Sequence, residues 1–335
     1  MERIFEFTVK PEEAPCTLGE YLRARGFSRQ IIIHLKKTPM GIQVNGQWAY
    51  VKTVLKEGDL VWILLKEEES SEKILPVPMD LDILYEDPDI LVVNKPADTP
   101  VHPSIHNYEN TLANGIAWYF QQKGEPFIFR CINRLDRDTT GLLILGKNAY
   151  SASILSSSMK NREIRRTYLG IARGTPVPLK GTVDAPIARE ADSAILRCVD
   201  FEKCERAVTH YETLCTREGC SLIRFSLETG RTHQIRVHMK YLRVPLLGDY
   251  LYNPDYSKIK RVALHSYSLE FSHPVTHENL HFQAPLPKDM AGLFPSFLNF
   301  FPAYRRGDRE RQLCHFSFFH LKFFVLISSQ RFYRI

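Results

Sequence analysis

The stretch Asn133-Arg-Leu-Asp-Arg-Asp-Thr-Thr-Gly141 places two carboxylates, two guanidinium groups and two hydroxyls between apolar segments of the chain. Residues 127–129 before it and 142–145 after it are apolar, which predicts buried strand on both sides. A carboxylate close to the core of a sheet needs a cation beside it, or it takes up a proton. Arg134 and Arg137 are the nearest cations in sequence. From the residues alone, both a charged hairpin loop and a catalytic loop remain open.

The length and composition are those of a folded protein with one large core. The chain has 335 residues, of which 44% are hydrophobic, enough for one large domain and a small accessory domain. No segment approaches the roughly 18 consecutive apolar residues that span a bilayer, and the N-terminus lacks the pattern of a secretory signal. We therefore expect a cytoplasmic protein that has no membrane partner.

The cysteines do not predict a metal site. Seven is an odd number in a large chain without a secretory signal, which indicates reduced thiols. Cys198, Cys204, Cys215 and Cys220 surround His210, but no C-x-x-C pair occurs and the spacings fit no zinc module. A glycine-rich phosphate loop is also missing from the sequence. We expect no metal and no cofactor.

The positive charge is unevenly distributed. The formal net charge is +6, but residues 291–335 hold seven Lys/Arg against two acidic residues, so the rest of the chain is nearly neutral. A nucleic-acid partner must therefore be argued from local clusters. One such cluster is the basic face, residues 21–56, which has seven Lys/Arg and no Asp or Glu.

Local signals around the basic face predict a small α+β domain. Thr17 and Glu20 form a capping-box pattern that opens a short helix, and Ser28 can cap a second helix. The pair Asn45-Gly46 predicts a hairpin, and residues 60–65 predict a final strand. This arrangement resembles the S4 RNA-binding domain over about residues 14–66. The alternative is a small domain whose basic side is only solvated. The resemblance implies RNA contacts from the basic side chains Arg23, Arg25, Arg29, Lys36 and Lys37.

Composition divides the chain into four parts. Residues 1–66 form the S4-like domain, and residues 67–78, which are polar and proline-containing, form a linker. Residues 79–290 form the main domain, and residues 291–335 form a Phe-rich basic tail of unknown role.

The stretch 133–141 resembles the catalytic loop of the RluA-type pseudouridine synthases, usually His-Arg-Leu-Asp followed by Thr-Ser-Gly or Thr-Thr-Gly. Further matches follow in the family's order between about residues 83 and 287. They are Val101–Pro103, Arg166–Tyr168, Glu228–His238, Pro245–Asp249, and Leu264–Tyr267 with His273-Pro274. The resemblance implies an α+β fold with a large mixed, mainly antiparallel sheet and flanking helices. It also implies an enzyme that isomerises uridine to pseudouridine in RNA.

The resemblance assigns roles to individual residues. Asp136 is the implied nucleophile, which attacks either the base or the sugar carbon, and Arg236 is the implied cation beside it. Tyr168 is expected to pack on the extruded uracil and to help remove a proton, while Arg134 fills the space that the uracil leaves. Further RNA contacts are expected from Arg231, His233 and Gln234, which lie in the match Glu228–His238, the family's third motif.

Two positions depart from the family pattern. Asn133 replaces the usual His, and we expect it to support the loop because an amide can donate and accept hydrogen bonds. Asp98 stands where the family commonly has glycine, so the backbone there is expected to differ.

Two alternative functions remain open, the first because Asn133 replaces the family's histidine. One is a noncatalytic RNA-binding or ribosome-assembly protein that kept the S4-like domain. The other is a glycosidase that uses Asp138 as its second carboxylate. For the enzyme we expect a monomer that acts on ribosomal RNA of the large subunit, with transfer RNA as the second candidate.

Overall fold

The computed structural model describes residues 1–105, 107–191, 193, 195–202 and 205–295. The predicted tail therefore lies outside the described residues from residue 296 onward, as does Cys204. Across the described part of the chain, no helix combines the length and the apolar character needed to cross a membrane.

The N-terminal module, residues 1–66, contains two helices and a four-stranded sheet. Its elements are β1 (Glu2–Thr8), β2 (Cys16–Thr17), α1 (Leu18–Ala24), α2 (Arg29–Lys37), β3 (Ile42–Val44), β4 (Gln47–Trp48), β5 (Val54–Leu55) and β6 (Leu60–Lys66). The four-stranded sheet has the order β1-β6-β3-β4. The predicted caps are confirmed, because the Thr17 side chain accepts the Glu20 N–H and the Ser28 side chain accepts the Ile31 N–H. Sequence analysis missed β1.

The larger sheet has nine strands, and we call it the catalytic sheet because the predicted catalytic loop, residues 133–141, leads into one of them. They are β7 (Asp82–Glu86), β8 (Ile90–Lys95), β9 (Thr140–Gly146), β10 (Arg165–Arg173), β11 (Lys180–Asp184), β14 (Val208–Arg217), β15 (Cys220–Leu227), β16 (Leu264–Ser272) and β17 (Asn279–Gln283). The order is β11-β14-β15-β10-β16-β9-β8-β7, with β17 paired to β16. β9 and β16 run parallel, and the other neighbours run antiparallel. The predicted fold class is confirmed.

Four helices and a small hairpin flank this sheet. The helices are α3 (Leu112–Gln122), α4 (Ala149–Lys160), α5 (Gln234–Tyr241) and α6 (Lys288–Ala291). The hairpin pairs β12 (Ile187–Arg189) with β13 (Arg197–Val199). One apolar cluster joins α3 and α5 to the sheet strands β8, β9, β10 and β15, and its residues are fully buried or nearly so. The sheet is thus a rigid support for the loops that leave its strand ends.

The N-terminal module packs on the catalytic sheet through Tyr150 of α4. The Tyr150 ring lies 4.7 Å from the Phe5 ring and 4.4 Å from the Phe27 ring, and its hydroxyl donates to the Arg25 carbonyl at 2.9 Å. Arg3 adds a two-pronged ion pair to Asp89, with distances of 3.0 and 2.8 Å. The basic face is therefore held at a fixed orientation to the sheet.

The predicted linker has no helix or strand, but it packs against residues 127–129, the segment just before the catalytic loop. The Ser70 and Ser71 hydroxyls accept the backbone N–H groups of Phe127 and Phe129 at 3.2 and 2.9 Å. Residues 127–129, expected to be a strand, are irregular chain that bonds to these hydroxyls instead. The proposed domain boundaries remain predictions.

Candidate active site

The loop that carries Asp136 ends in a glycine that no other residue can replace without displacement. Gly141 has φ 109°, and a Cβ there would lie 2.2 Å from the Ser266 carbonyl oxygen of β16. The parallel pairing of β9 with β16 occurs at this point, between Gly141 and Ser266 and between Thr140 and His265. The catalytic loop is therefore anchored directly to the centre of the sheet.

Asn133 ties the start of the same loop to β9. Its side chain is buried, donates to the Leu142 carbonyl at 3.1 Å and accepts the Ile144 N–H at 2.9 Å. These bonds use the amide's ability to donate and accept at once. The geometry agrees with the expected role as loop support.

Lys95 holds the middle of the loop, and sequence analysis gave it no role. The buried ammonium donates to the carbonyls of Pro96, Thr99 and Arg137 at 2.8, 2.8 and 2.7 Å. Burial lowers the pKa of Lys95 to about 7, against the opposing charges of Asp138 and Asp136. Satisfying three carbonyls at once needs the three N–H bonds of the charged form. The sequence did contain a signal for this role, because Lys95 ends a strand that is apolar over Ile90–Val93.

We expect Lys95→Met to loosen this loop. Three carbonyls lose their donor, at about 1–3 kcal/mol for each group left unsatisfied, partly offset by removal of a buried charge. The free energy of unfolding in urea should fall, and turnover should fall with it, while RNA binding persists. Lys180→Met, at an exposed lysine of β11, is the matched control. Wild-type turnover in Lys95→Met would show that Lys95 does not position the loop.

Asp98 adopts a backbone conformation that glycine favours. Its φ is 53°, in the left-handed region that aspartate tolerates better than most residues. Its carboxylate forms an ion pair with Arg137 of the catalytic loop, with a distance of 2.6 Å to Arg137 Nε. This ion pair ties residue 98 to the catalytic loop, and the expected difference from the family's backbone stays a prediction.

Arg236 joins two carboxylates at the base of the site. Its Nη1 donates to Asp136 Oδ2 at 2.9 Å, while Nε and Nη2 donate to both Asp249 oxygens at 2.7 Å. The side chain is 1% exposed and lies 5.3 and 5.2 Å from the ring centres of Tyr250 and Tyr252. Burial opposes the charge, but the hydrogen bonds and charges of Asp249 and Asp136 raise the pKa of Arg236. Sequence analysis gave Asp249 no role in holding this arginine.

His233 lies beside the predicted nucleophile. It adopts φ 58° as the N-cap of α5, and its Nε2 is 3.9 Å from Asp136 Oδ2. Its Nδ1 is 3.0 Å from the Tyr252 hydroxyl, which already accepts the Arg197 N–H at 3.0 Å. Donation of the hydroxyl proton to Nδ1 leaves the imidazole N–H on Nε2, facing Asp136. Burial, aided by the charge of Arg236, lowers the pKa of His233.

Tyr168 and Arg134 line the same cavity from different elements. Tyr168 is buried on β10, and burial raises the pKa of its phenol, with a smaller opposing effect from Arg166. Burial therefore favours the neutral phenol, and the expected help with proton removal stays a prediction. Arg134 is exposed and forms no ion pair within the described part of the chain.

Gln234 does not have the expected freedom to contact RNA. It is 3% exposed, and its Oε1 accepts from the Thr229 hydroxyl and the Arg231 N–H at 2.8 and 3.0 Å. Its Nε2 donates to the Val208 carbonyl and the Thr209 hydroxyl at 2.9 and 3.0 Å. All four bonds of the amide are used inside the protein. This corrects the prediction of an RNA contact, because Gln234 fastens the third-motif loop to β14.

The remaining predicted RNA-binding residues are exposed, except Arg25. Arg231 is half-exposed, lines the cavity and forms an ion pair with Glu205 at 2.5 Å. Arg25 is partly buried between Tyr21 and Phe7 and pairs with Glu13, so its charge is used within the fold. The others are exposed and have no ion pair among the described residues: Arg23, Arg29, Lys36 and Lys37.

The cavity over Asp136 has a volume of about 700 Å³, which is within the usual range for ligand sites. Its walls carry six Lys/Arg side chains, Arg134, Lys160, Arg162, Arg166, Arg231 and Arg236, against the carboxylates of Asp136 and Glu228. The Arg166 Nε is buried without a hydrogen-bond partner among the described residues. The excess of positive charge suits a polyanionic ligand. One group of that ligand can then meet the Asp136 carboxylate.

A separate acidic cluster is occupied by protein donors. Asp87, Asp89 and His273 bring possible metal-ligand atoms within 4.8 Å of one another. However, Arg3 occupies both Asp89 oxygens, and Asp87 pairs with His273 at 2.9 Å. Burial opposes ionisation, but hydrogen bonds from His273, from the Ile90 and Asp89 N–H groups and from the Tyr85 hydroxyl lower the pKa of Asp87 to about 2. The cluster joins β1 to the catalytic sheet.

Comparisons with known proteins give one consistent result. Residues 89–241 match the family model described as RNA pseudouridylate synthase. The Bacillus subtilis "Uncharacterized RNA pseudouridine synthase YjbO" is 44% identical, covering 83% of this chain and 98% of the relative. "Ribosomal large subunit pseudouridine synthase D" of Neisseria meningitidis is 35% identical, covering 74% of this chain and 69% of the relative. The structure "Human RNA Pseudouridylate Synthase Domain Containing 4" has a TM-score of 0.51 and 25% identity, covering 63% of this chain and 90% of that chain.

Proposed function

The chain belongs to the RluA-type family of RNA pseudouridine synthases, and we propose that it modifies large-subunit ribosomal RNA with Asp136 as the nucleophile. The enzyme breaks the glycosidic bond of a uridine, turns the uracil over and rejoins it through carbon 5. The observation that carries the proposal is the 2.9 Å bond from Arg236 Nη1 to Asp136 Oδ2 at the base of a basic cavity.

Asp136 suits a nucleophile because it is paired with a cation, held and still accessible. Arg236 holds the carboxylate by a hydrogen bond, and Asp249 keeps the guanidinium in one orientation. The Asp136 side chain is 28% exposed, whereas Asp249 is fully buried, so only Asp136 can meet a substrate. Neutral His233, with its Nε2–H toward Asp136, forms a polar wall of the cavity and does not compete with Arg236 as a second positive charge.

The target uridine is proposed to leave its stack before it reacts. A base inside a helix cannot reach a carboxylate at the bottom of a cavity, so it must be flipped out. Tyr168 provides an apolar ring on which the uracil packs. Arg134 is exposed and unpaired within the described chain, so it is free to fill the gap left in the RNA.

Ribosomal RNA is the proposed substrate because of the relatives' names and the basic face of the N-terminal module. The Neisseria relative is named for the large ribosomal subunit. The exposed cations of α2 lie in the module that resembles an S4 RNA-binding domain, and such cations bind phosphates. The two relatives named above are bacterial, and bacteria make ribosomal RNA in the cytoplasm, so we propose that the enzyme acts there, as a monomer.

Tritium release from transcripts that contain 5-tritiated uridine tests the substrate. Joining the base through carbon 5 expels the hydrogen of that carbon, so each isomerisation releases one tritium. We expect release from a large-subunit ribosomal transcript, at a higher kcat/KM than from transfer RNA transcripts. A preference for transfer RNA would overturn the assignment to ribosomal RNA. No tritium release from either transcript would contradict the proposed isomerisation by Asp136.

The basic face can be tested without disturbing the fold. Removing residues 1–66 would uncover Tyr150, so we choose the triple variant Arg29→Ala, Lys36→Ala and Lys37→Ala. RNA binding should weaken, and the slope of log affinity against log salt should fall by roughly 0.7–0.9 for each lost phosphate contact. Turnover at saturating RNA should change less than twofold.

The matched control replaces three exposed cations of the catalytic part, Arg173, Lys180 and Arg217, by alanine. An unchanged salt slope in the first variant, or an equal loss in the control, would mean that the basic face does not contact RNA.

A further inference from the structure

Two arginines face each other across the β12–β13 hairpin. The register pairs Arg189 directly with Arg197, so both side chains lie on the same face of the hairpin. Like charges at directly opposed positions of an antiparallel pair destabilise it. An anion that binds between the two charges would remove this repulsion.

Neither charge is neutralised within the described part of the protein. The Arg189 side chain is exposed and forms no hydrogen bond or ion pair there. Arg197 Nη1 donates to the carbonyls of Ile195 and Leu196 at 3.1 and 3.0 Å, which orients the guanidinium but does not cancel its charge. Glu205 is the nearby carboxylate, and it pairs with Arg231 at 2.5 Å.

The two arginines line a groove next to the catalytic cavity. The groove has a volume of about 410 Å³ and is bounded by Arg189, Arg197, Glu205, Arg231 and Thr232 with apolar residues of β12. Arg231 and Thr232 also line the cavity over Asp136, so the two spaces adjoin. A chain that enters the cavity can therefore continue into the groove.

The groove is held at a fixed position relative to Asp136. The Arg197 N–H donates to the Tyr252 hydroxyl, which is 3.0 Å from His233 Nδ1. The other nitrogen of His233 is 3.9 Å from Asp136 Oδ2. Three consecutive contacts thus connect the hairpin with the carboxylate, so a ligand in the groove would be positioned for the reaction.

We propose that Arg189 and Arg197 together bind a backbone phosphate of the substrate RNA, close to the flipped uridine. The proposal rests on the proposed function and adds a specific contact to it. A phosphate between the two guanidinium groups removes their repulsion and accepts charge-assisted hydrogen bonds from both. The contact positions the strand and carries no sequence information.

The test compares Arg189→Gln, Arg197→Gln and the double variant with wild-type protein on the large-subunit ribosomal transcript. Each single variant should raise KM on the order of tenfold, as expected for loss of one charge-assisted contact, with kcat changed less than twofold. Because both arginines bind one phosphate, the double variant should lose little more than a single one. The salt slope of binding should fall by roughly 0.7, and Arg189→Lys should restore part of the affinity.

Two further measurements separate a phosphate contact from a structural role. The melting temperature of RNA-free Arg189→Gln should be unchanged or higher, because the substitution removes a repulsion. The control Arg173→Ala, at an exposed arginine of β10, should behave like wild type. A lower melting temperature with an unchanged salt slope, or additive losses in the double variant, would overturn the proposal.

The outcomes also separate this proposal from the proposed function. If wild-type protein releases tritium and the hairpin variants match it in KM and salt slope, only the phosphate contact is wrong. If wild-type protein binds the transcript without releasing tritium, the proposed function fails. The salt slopes of the variants then still decide whether the groove binds phosphate.

Discussion

Replacing Arg236 by alanine is expected to lower kcat/KM by at least about a hundredfold, as for loss of a preorganised charged group in an active site. Two effects combine. Asp136 loses its 2.9 Å bond to the guanidinium, and Asp249, fully buried, loses both of its own. Breaking a buried ion pair on one side costs about 3–5 kcal/mol, so Arg236→Ala should also unfold at a lower urea concentration.

Arg236→Lys separates geometry from charge. The guanidinium uses three nitrogens to reach two carboxylates, which one ammonium cannot do with the same directions. We expect its rate to lie between those of alanine and wild type. A carboxylate without a paired cation binds a proton more readily, so a rise in pH should restore part of the rate of Arg236→Ala.

The pH–rate profiles should distinguish this effect from that of Arg134. Arg134→Ala leaves the bond between Arg236 and Asp136 intact, so its pH dependence should match wild type. Its loss should appear mainly on folded RNA, where flipping the base is costly, and less on unstructured RNA. If Arg236→Ala and Arg134→Ala share one pH dependence and one substrate preference, the separate roles of the two arginines are wrong.

Asp136→Asn is expected to abolish tritium release while RNA binding stays within a few-fold of wild type. An amide cannot act as the nucleophile, whereas the cations that line the cavity remain in place. Asp138→Asn is the matched control two residues away on the same loop. It should retain most of the activity, because the proposed reaction needs one carboxylate.

The same two variants test the glycosidase alternative. A glycosidase that used Asp136 and Asp138 would lose activity in both variants and would release free uracil in the wild type. We expect no free uracil from wild-type protein and pseudouridine as the product. Tritium release at the wild-type rate from Asp136→Asn would remove Asp136 from the mechanism.

Features encoded by short segments were predictable from the sequence. The caps at Thr17 and Ser28 and the strand β9 after the catalytic loop depend on residues within a few positions of each other. The pairing of Arg236 with Asp136 was expected from family resemblance, since the two residues are 100 positions apart. No local sequence pattern spans a separation of 100 residues.

Other features depend on the tertiary structure. Lys95, Asp249 and Tyr252 act through bonds to distant segments, so their roles could not be read from neighbouring residues. Gln234 matched the motif that carries RNA contacts, but the fold turns its amide inward to β14. A motif match identifies the segment that builds a site, whereas burial decides which of its side chains can meet the substrate.

Pseudouridine mapping of total RNA tests the central claim most directly. The comparison uses a strain that lacks this protein and is complemented with the wild-type or the Asp136→Asn chain. The account predicts that one uridine or a small set of uridines in large-subunit ribosomal RNA loses its modification, and that only the wild-type chain restores it. Restoration by Asp136→Asn, or an unchanged map in the deleted strain, would contradict the account.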